Sequence, residues 1–226
     1  MTHHSEKGLH PRTNPEAGQP PVGAAWRWVS ERGLRLATGE ATLARYAALR
    51  ALTLPEIEDI IPADGCVLVV LRRGETVSPR LRQALAVDSA PAPQAGSRLH
   101  EIVVEYGGAA GPDLPALAQR AGMDLTTYIE AHAAVEYTVA FLGFQPGFPY
   151  LRGLPSRLHA PRLASPRVRV PAGSVALGGG YCGIYPASGP GGWQLIGHTE
   201  AVLFDPQRDA PALLQPGDRV RFVQPG

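Results

Sequence analysis

Two different spacings of apolar residues organise this chain. Trp26 and Trp28, then Leu34 and Leu36, alternate with polar residues, the period of strands that face one core. Gly33 falls between the pairs at a turn. From Glu40 to Leu52 the period lengthens, and Leu43, Tyr46, Ala47 and Arg50 take helical spacing. Ile57 to Ile61 and Cys66 to Leu71 return to strand character, joined by Pro62-Ala63-Asp64-Gly65, a turn signal. Pro79 to Leu85 predicts a closing helix. The order ββαββα predicts a small α/β domain over 24–88, an open sheet with helices on one face in a ferredoxin-like arrangement.

The flanks differ in composition. Residues 1–23 hold His3, His4, Pro11, Pro15, Pro20 and Pro21 with almost no large apolar residue. Too little can be buried there to offset the entropy of ordering, so a disordered tail is expected. Residues 89–97, Ser-Ala-Pro-Ala-Pro-Gln-Ala-Gly-Ser, read as a linker. A second domain follows over 98–226. Leu99, Ile102 and Val104 begin a strand. Asp113, Pro115 and Gly122 mark the cap, first turn and end of a helix, and Asp124 caps another that runs to about residue 133. Val135, Tyr137, Val139 and Phe141 then alternate with Glu136, Thr138 and Ala140, which is strand spacing. From Gly143 onward Gly and Pro recur between short β-like runs at 168–170, 174–177, 194–196, 201–204 and 219–223. Many short strands with Gly/Pro turns imply a β-barrel or sandwich, and an α+β fold class for the whole.

Composition narrows the chemistry. The net charge of +1 argues against a general nucleic-acid binder. No apolar run reaches the roughly 20 residues of a membrane span, and the first 25 residues have no apolar core like that of a secretory signal. Lys7 is the one lysine among 21 Lys and Arg residues. The folded body therefore has no amine for a Schiff base, a Walker A loop or a biotin attachment. Two cysteines, Cys66 and Cys182, without CxxC spacing fit a reduced, cytoplasmic protein. His100, His132, His159 and His198 show no metal-ligand spacing, so no metal site is expected.

Several groups can carry chemistry. His132, near the end of its helix, precedes Glu136 by four residues, the layout of a base and its orienter or of a core histidine at a helix C-terminus. Phe144 to Tyr150 sets Phe148 and Tyr150 among two prolines and a glycine, either a cavity wall or a packed barrel corner. Arg162 and Arg167 each follow a proline, and held guanidinium forks suit carboxylates and phosphates; a solvent-facing ion pair is the alternative. Gly173-Ser174 opens a β run but lacks the GxSxG setting of a nucleophile. Gly178, Gly180 and Gly183 spell GxGxxG without the helix a dinucleotide site needs. Tyr185, Trp193, His198 and Thr199 surround the glycine-rich loops that follow.

Taken together these motifs resemble a known family. They comprise Tyr106-Gly107-Gly108; His132 with Val135-Glu136-Tyr137; Phe141 to Leu151; Pro161-Arg162 and Pro166-Arg167; Val170 to Val175; Gly183-Ile184-Tyr185-Pro186; Pro190 to Thr199; and Pro216-Gly217-Asp218. They are similar to the carboxyltransferase-domain family, subdomain C and D. That group includes the B subunits of 5-oxoprolinases, KipI-type inhibitors of sensor histidine kinases and the first subunit of allophanate hydrolase. The resemblance implies a cyclophilin-like β-barrel over 98–226. It implies an ATP-dependent opening of the lactam of 5-oxo-L-proline, shared with a C subunit carrying a related barrel and with an A subunit in a hetero-oligomer. The alternatives it leaves are kinase inhibition and a role in urea or allophanate metabolism. On this picture His132, Glu136 and His198 serve proton transfer. Arg162, Arg167, Phe148, Tyr150, Gly173, Ser174, Tyr185, Trp193 and Thr199 line the substrate and nucleotide site. Tyr181-Cys182 replaces the family's usual Gln-Thr and bears on specificity.

Overall fold

The computed structural model describes residues 26–87 and 97–226. The expected tail at 1–23, and the expected linker except for residue 97, lie outside the described residues. In the N-terminal part, β1 (Trp26–Trp28), β2 (Gly33–Ala37), β3 (Ile57–Ala63) and β4 (Cys66–Leu71) form an antiparallel sheet of order β1-β2-β4-β3. Helices α1 (Thr42–Ala51) and α2 (Pro79–Ala86) set Tyr46, Leu49, Leu81 and Leu85 against Trp26, Leu34, Leu36, Val67, Val69 and Leu71. The Ser78 hydroxyl accepts the Leu81 N–H at 3.1 Å and caps α2. The expected four-residue turn is shorter in the structure. Pro62 and Ala63 continue β3, and only Asp64 and Gly65 turn. Proline is tolerated inside β3 because that strand is at the sheet edge, where a missing N–H breaks no ladder.

The C-terminal part holds β5 (Leu99–Val103), β6 (Glu105–Tyr106), α3 (Leu114–Arg120), α4 (Leu125–Ala133), β7 (Glu136–Leu142), β8 (Pro149–Arg152), β9 (Arg167–Val170), β10 (Ser174–Gly178), β11 (Tyr181–Ile184), β12 (Gly189–Gly191), β13 (Gln194–His198) and β14 (Arg219–Val223). Eight of these strands make one sheet of order β5-β14-β7-β8-β11-β10-β13-β6. Its two edges, β5 and β6, are the same stretch of chain separated only by Val104. That stretch pairs parallel with β14 over 99–103 and antiparallel with β13 over 105–106. One segment thus nearly closes the sheet into a barrel and hides its edges. Gly197 permits the closure: a Cβ there would meet the Glu105 carbonyl at 2.6 Å. The barrel is filled by Tyr137, Val139, Leu151, Val175, Leu177, Ile184, Ile196, Val220 and Phe222, with Leu114, Leu117 and Tyr128 of the helices packed on them. Among the described residues no helix is long and apolar enough to cross a membrane. The expected strand at 201–204 is reduced to one bridge, Phe204 to Ala212. The glycine-rich stretch at 178–184 is the β10–β11 hairpin.

A small polar clasp joins the two parts. The Asp64 carboxylate accepts the Tyr181 hydroxyl at 2.8 Å and Arg152 Nη2 at 3.2 Å, while Arg152 Nη1 reaches Glu40 at 3.4 Å. All three contacts are solvent-exposed, so each contributes no more than about 1 kcal/mol. Asp64→Ala is expected to cost less than about 1 kcal/mol in urea unfolding. A double-mutant cycle with Tyr181→Phe should show coupling of roughly half that; strict additivity would mean the clasp does not form in solution.

Candidate functional site

A cluster of rings lies where the β7–β8 hairpin loop meets β11, β12 and β13. Tyr150 stacks on Phe141 with centroids 4.3 Å apart and meets Tyr181 at 5.7 Å and Trp193 at 5.5 Å. Phe148 touches Tyr150, Tyr185 and Trp193 edge-to-face at 5.1–5.4 Å, the favoured geometry for aromatic pairs. Phe141 reaches this face because the β7–β8 register slips between Val139 and Phe141. The extra residue turns Phe141 away from the barrel core that Tyr137 and Val139 enter. Glycines make the sockets. A Cβ at Gly183 would press within 2.8 Å of the Phe148 ring, and one at Gly178 would overlap the Trp193 indole. These are two of the three glycines of the GxGxxG match, so the pattern serves ring packing.

Two signs of function sit in the 143–148 loop. Phe144 has φ +67°, a conformation that strains a bulky L-residue and clusters at functional sites. Its ring is 60% exposed although it contacts Phe148 and Tyr185. Next to it, Gln145 Oε1 is buried without a donor among the described residues, a rarity that calls for an explanation. In the sequence Gln145 stands out only as part of a motif; nothing in its spacing marks an unsatisfied oxygen.

The two expected arginines have different roles. The Arg162 guanidinium lies 5.8 Å from the centre of the Trp193 ring and has no carboxylate partner among the described residues. Arg167 is committed: Nη2 donates to Asp113 at 2.7 Å and Nη1 to the Trp193 carbonyl at 3.4 Å. Asp113 also accepts the Leu195 N–H at 2.6 Å. The expectation that Asp113 caps its helix with its side chain is therefore corrected. No side-chain cap forms, because both carboxylate oxygens are spent on holding Arg167 and β13. Burial raises the Tyr185 phenol above its ordinary value, opposed by a hydrogen bond from the Trp193 backbone and by nearby Arg162 and Arg167.

The remaining expected residues lie elsewhere. His198, at the end of β13, contacts the Ala172 carbonyl through Nε2 at 3.0 Å and has Nδ1 3.5 Å from Glu200. With Thr199 it lines a cleft of about 420 Å³ at the barrel seam. Gly173 donates its N–H to the Tyr185 carbonyl and accepts the Thr199 N–H, while Ser174 is buried on β10 opposite His198. Gly173 has φ +79°, and a Cβ there would strike the His198 ring.

His132 and Glu136 are not a base and orienter. His132 is wholly buried in the barrel. Its Nδ1 meets the Tyr106 hydroxyl at 2.8 Å, its Nε2 meets Cys182 Sγ at 3.4 Å, and its ring stacks on Phe222 at 4.9 Å. Burial alone pushes its pKa down to about 3, so it is neutral at physiological pH. Burial likewise raises the Cys182 thiol and the Tyr106 phenol. Glu136 lies on the outer surface with Arg219 at 2.9 Å and Arg221 at 3.4 Å. Helical spacing would bring the pair together, but the helix ends between them and strand β7 carries Glu136 to the opposite face.

Known proteins share both parts of this architecture. A model of the carboxyltransferase domain, subdomain C and D, matches residues 24–214. The chain is 51% identical over 180 residues to a protein from Escherichia coli O157:H7 named as the B subunit of 5-oxoprolinase, covering 78% of this chain and 82% of that one. The crystal structure of TTHA0988 superposes with a TM-score of 0.74 at 38% identity, over 86% of this chain but only 40% of the other. The urea amidolyase of K. lactis shares the fold, with a TM-score of 0.67 at 21% identity over 88% of this chain and 15% of that one. A match running from the N-terminal sheet through nearly all of the barrel leaves one assignment: this chain belongs to the carboxyltransferase-domain family, subdomain C and D.

Proposed function

We propose that this chain is the B subunit of an ATP-dependent 5-oxoprolinase, working with a C subunit that carries a related barrel and an A subunit that completes ring opening to L-glutamate. The observation that carries the reading is the 51% identity, over 78% of the chain, to a relative of that name. Phe148, Tyr185 and Trp193 are packed in the interior of the ring cluster, so only its rim, the half-buried Tyr150 and the exposed Phe144, is open to a ligand. A small lactam ring packs on that rim, and its carboxylate meets Arg162, the guanidinium left without an acid partner among the described residues. The strained Phe144 and the unsatisfied Gln145 border the same surface. ATP enters as co-substrate at a site shared with, or provided by, the partner chain: its terminal phosphoryl group passes to the lactam oxygen and ADP leaves, after which water adds at the carbonyl carbon, the ring C–N bond breaks and phosphate departs to give L-glutamate. Residues of this chain bind and orient the substrate and keep water from it.

The same reading takes 24–88 as a ferredoxin-like domain. It is supported by the crossover in which α1 links β2 to β3 with β4 between them. It takes 98–226 as a cyclophilin-like barrel domain, and the cytoplasm as the compartment, where the buried free thiols of Cys66 and Cys182 stay reduced. The test is 5-oxo-L-proline-dependent ADP release by this chain alone and with its two partner chains. Turnover only in the full mixture supports the reading. Absence of turnover with all three chains folded and bound to one another overturns it.

A further inference from the structure

A cleft of about 460 Å³ opens where α1 and β3 face the barrel at Leu142 and the Gln215-Pro216 turn. That volume is typical of small-molecule sites, and junctions between structural units are where such sites concentrate. Apolar side chains such as Leu49, Ile60 and Leu142 line it beside two charges, Arg50 and Asp59, that have no ionic partner among the described residues. Arg50 is held in place, since Nη1 donates to the Tyr46 hydroxyl at 2.8 Å and the guanidinium lies 5.6 Å from the centre of the Tyr46 ring. It has no carboxylate partner among the described residues. Asp59 is held through Oδ1, which accepts the Ile60 N–H at 2.7 Å, and it has no cationic partner among them. Glu58, the other acid on this wall, is taken by Arg32.

Two backbone irregularities shape the same wall. Thr53 has φ +46°, a strained state for a β-branched residue and one that persists mainly at functional positions. The register of β3 against β4 slips between Ile57 and Asp59, so Glu58 is an extra residue. Such bulges re-aim side chains and are common beside binding sites.

We propose that this cleft binds a free α-amino acid as its zwitterion. The carboxylate takes the open side of the Arg50 fork, the ammonium takes Asp59, and an apolar side chain lies along Leu49 and Ile60. A ligand of one charge would meet a like charge across the cleft, and a neutral one would strip water from two ions without pairing them. Only a zwitterion matches both. The site is separate from the aromatic face, so it stands whether or not the oxoprolinase reading does.

The test is titration of the whole chain with L-leucine, followed by calorimetry and by amide NMR shifts. N-acetyl-L-leucine, which lacks the ammonium, and L-leucine methyl ester, which lacks the carboxylate, serve as controls. Saturable binding is expected, with shifts at 46–62, 142 and 215–216. Either control, and either Arg50→Ala or Asp59→Asn, should weaken it about tenfold or more. Both side chains are at the surface, so Asp59→Asn should keep the wild-type Tm and Arg50→Ala should lower it only by the few degrees that loss of its Tyr46 hydrogen bond costs. The proposal falls if L-leucine shows no saturation by about 10 mM, if the controls bind equally, or if the variants bind as well as the wild type. It also falls if a leucine-rich extended peptide binds more tightly than the free amino acid, which would make the edge of β3 a strand-docking site.

Discussion

Arg162→Ala is expected to lower kcat/KM for 5-oxo-L-proline in the reconstituted enzyme by about 100-fold, roughly 3 kcal/mol of lost binding to a charged group. The loss should appear mainly in KM, because the carboxylate is present in both substrate and transition state. Arg162→Lys should recover only part of it, since an ammonium cannot reproduce the two-pronged contact or lie on Trp193 as a planar guanidinium does. Arg167→Ala is the informative contrast. Its fork already holds Asp113, so its removal should cost about 1–2 kcal/mol of stability and affect turnover at least about tenfold less than Arg162→Ala. Steady-state kinetics beside urea unfolding separates the two. Equal kinetic losses would mean that the Asp113 pair opens to receive substrate.

The second large effect is on stability and its pH dependence. His132→Ala leaves a cavity in the barrel and strips the Tyr106 hydroxyl of its partner, an expected loss of about 3–5 kcal/mol at pH 7.5. The wild type should carry a pH signature that the variant lacks. The folded pKa of His132 is about 3, against about 6.5 in the unfolded chain. Between those values the unfolded state binds the extra proton, so stability is complete above about pH 6.5 and is lost as pH falls toward 3. The limiting slope is about 1.4 kcal/mol per pH unit. The gap between wild type and variant should therefore narrow from pH 7.5 to pH 5. A gap independent of pH would show that His132 is not buried in its neutral form. His132→Gln supplies folded protein if the alanine variant does not fold, and its pH–rate profile should match that of the wild type, since His132 reaches no substrate.

Much of the secondary structure was legible in residue spacing. The α4 cap is a local interaction: Asp124 accepts the Thr127 N–H at 2.7 Å. The strands at 26–28, 33–37 and 219–223 needed only alternation to be seen, and the one at 66–71 only a short apolar run bounded by a turn signal. Strands β8 and β11 were missed for a physical reason. Gly183 and Pro149 lower local β propensity, yet the glycine is what lets the Phe148 ring lie against the sheet. Asp113 misled in the opposite way. It has the residue type and position of a cap, but a contact 54 residues away in sequence outcompetes the local one.

By itself the sequence determined the chemistry available to this protein. Scarce lysine and abundant arginine leave guanidinium as its anion receptor, and the run of motifs identifies its family. Only the tertiary structure decided which candidates work together. It separated Arg162 from Arg167 by giving one an acid partner and leaving the other on an aromatic ring. It put His132 in the barrel interior and Glu136 on the surface, His198 at the seam and the rings at the hairpin loop. The physical reason is the barrel itself. Closing a sheet through one segment that pairs with both edges fixes inside and outside for every strand at once. That long-range constraint is absent from any window of neighbouring residues.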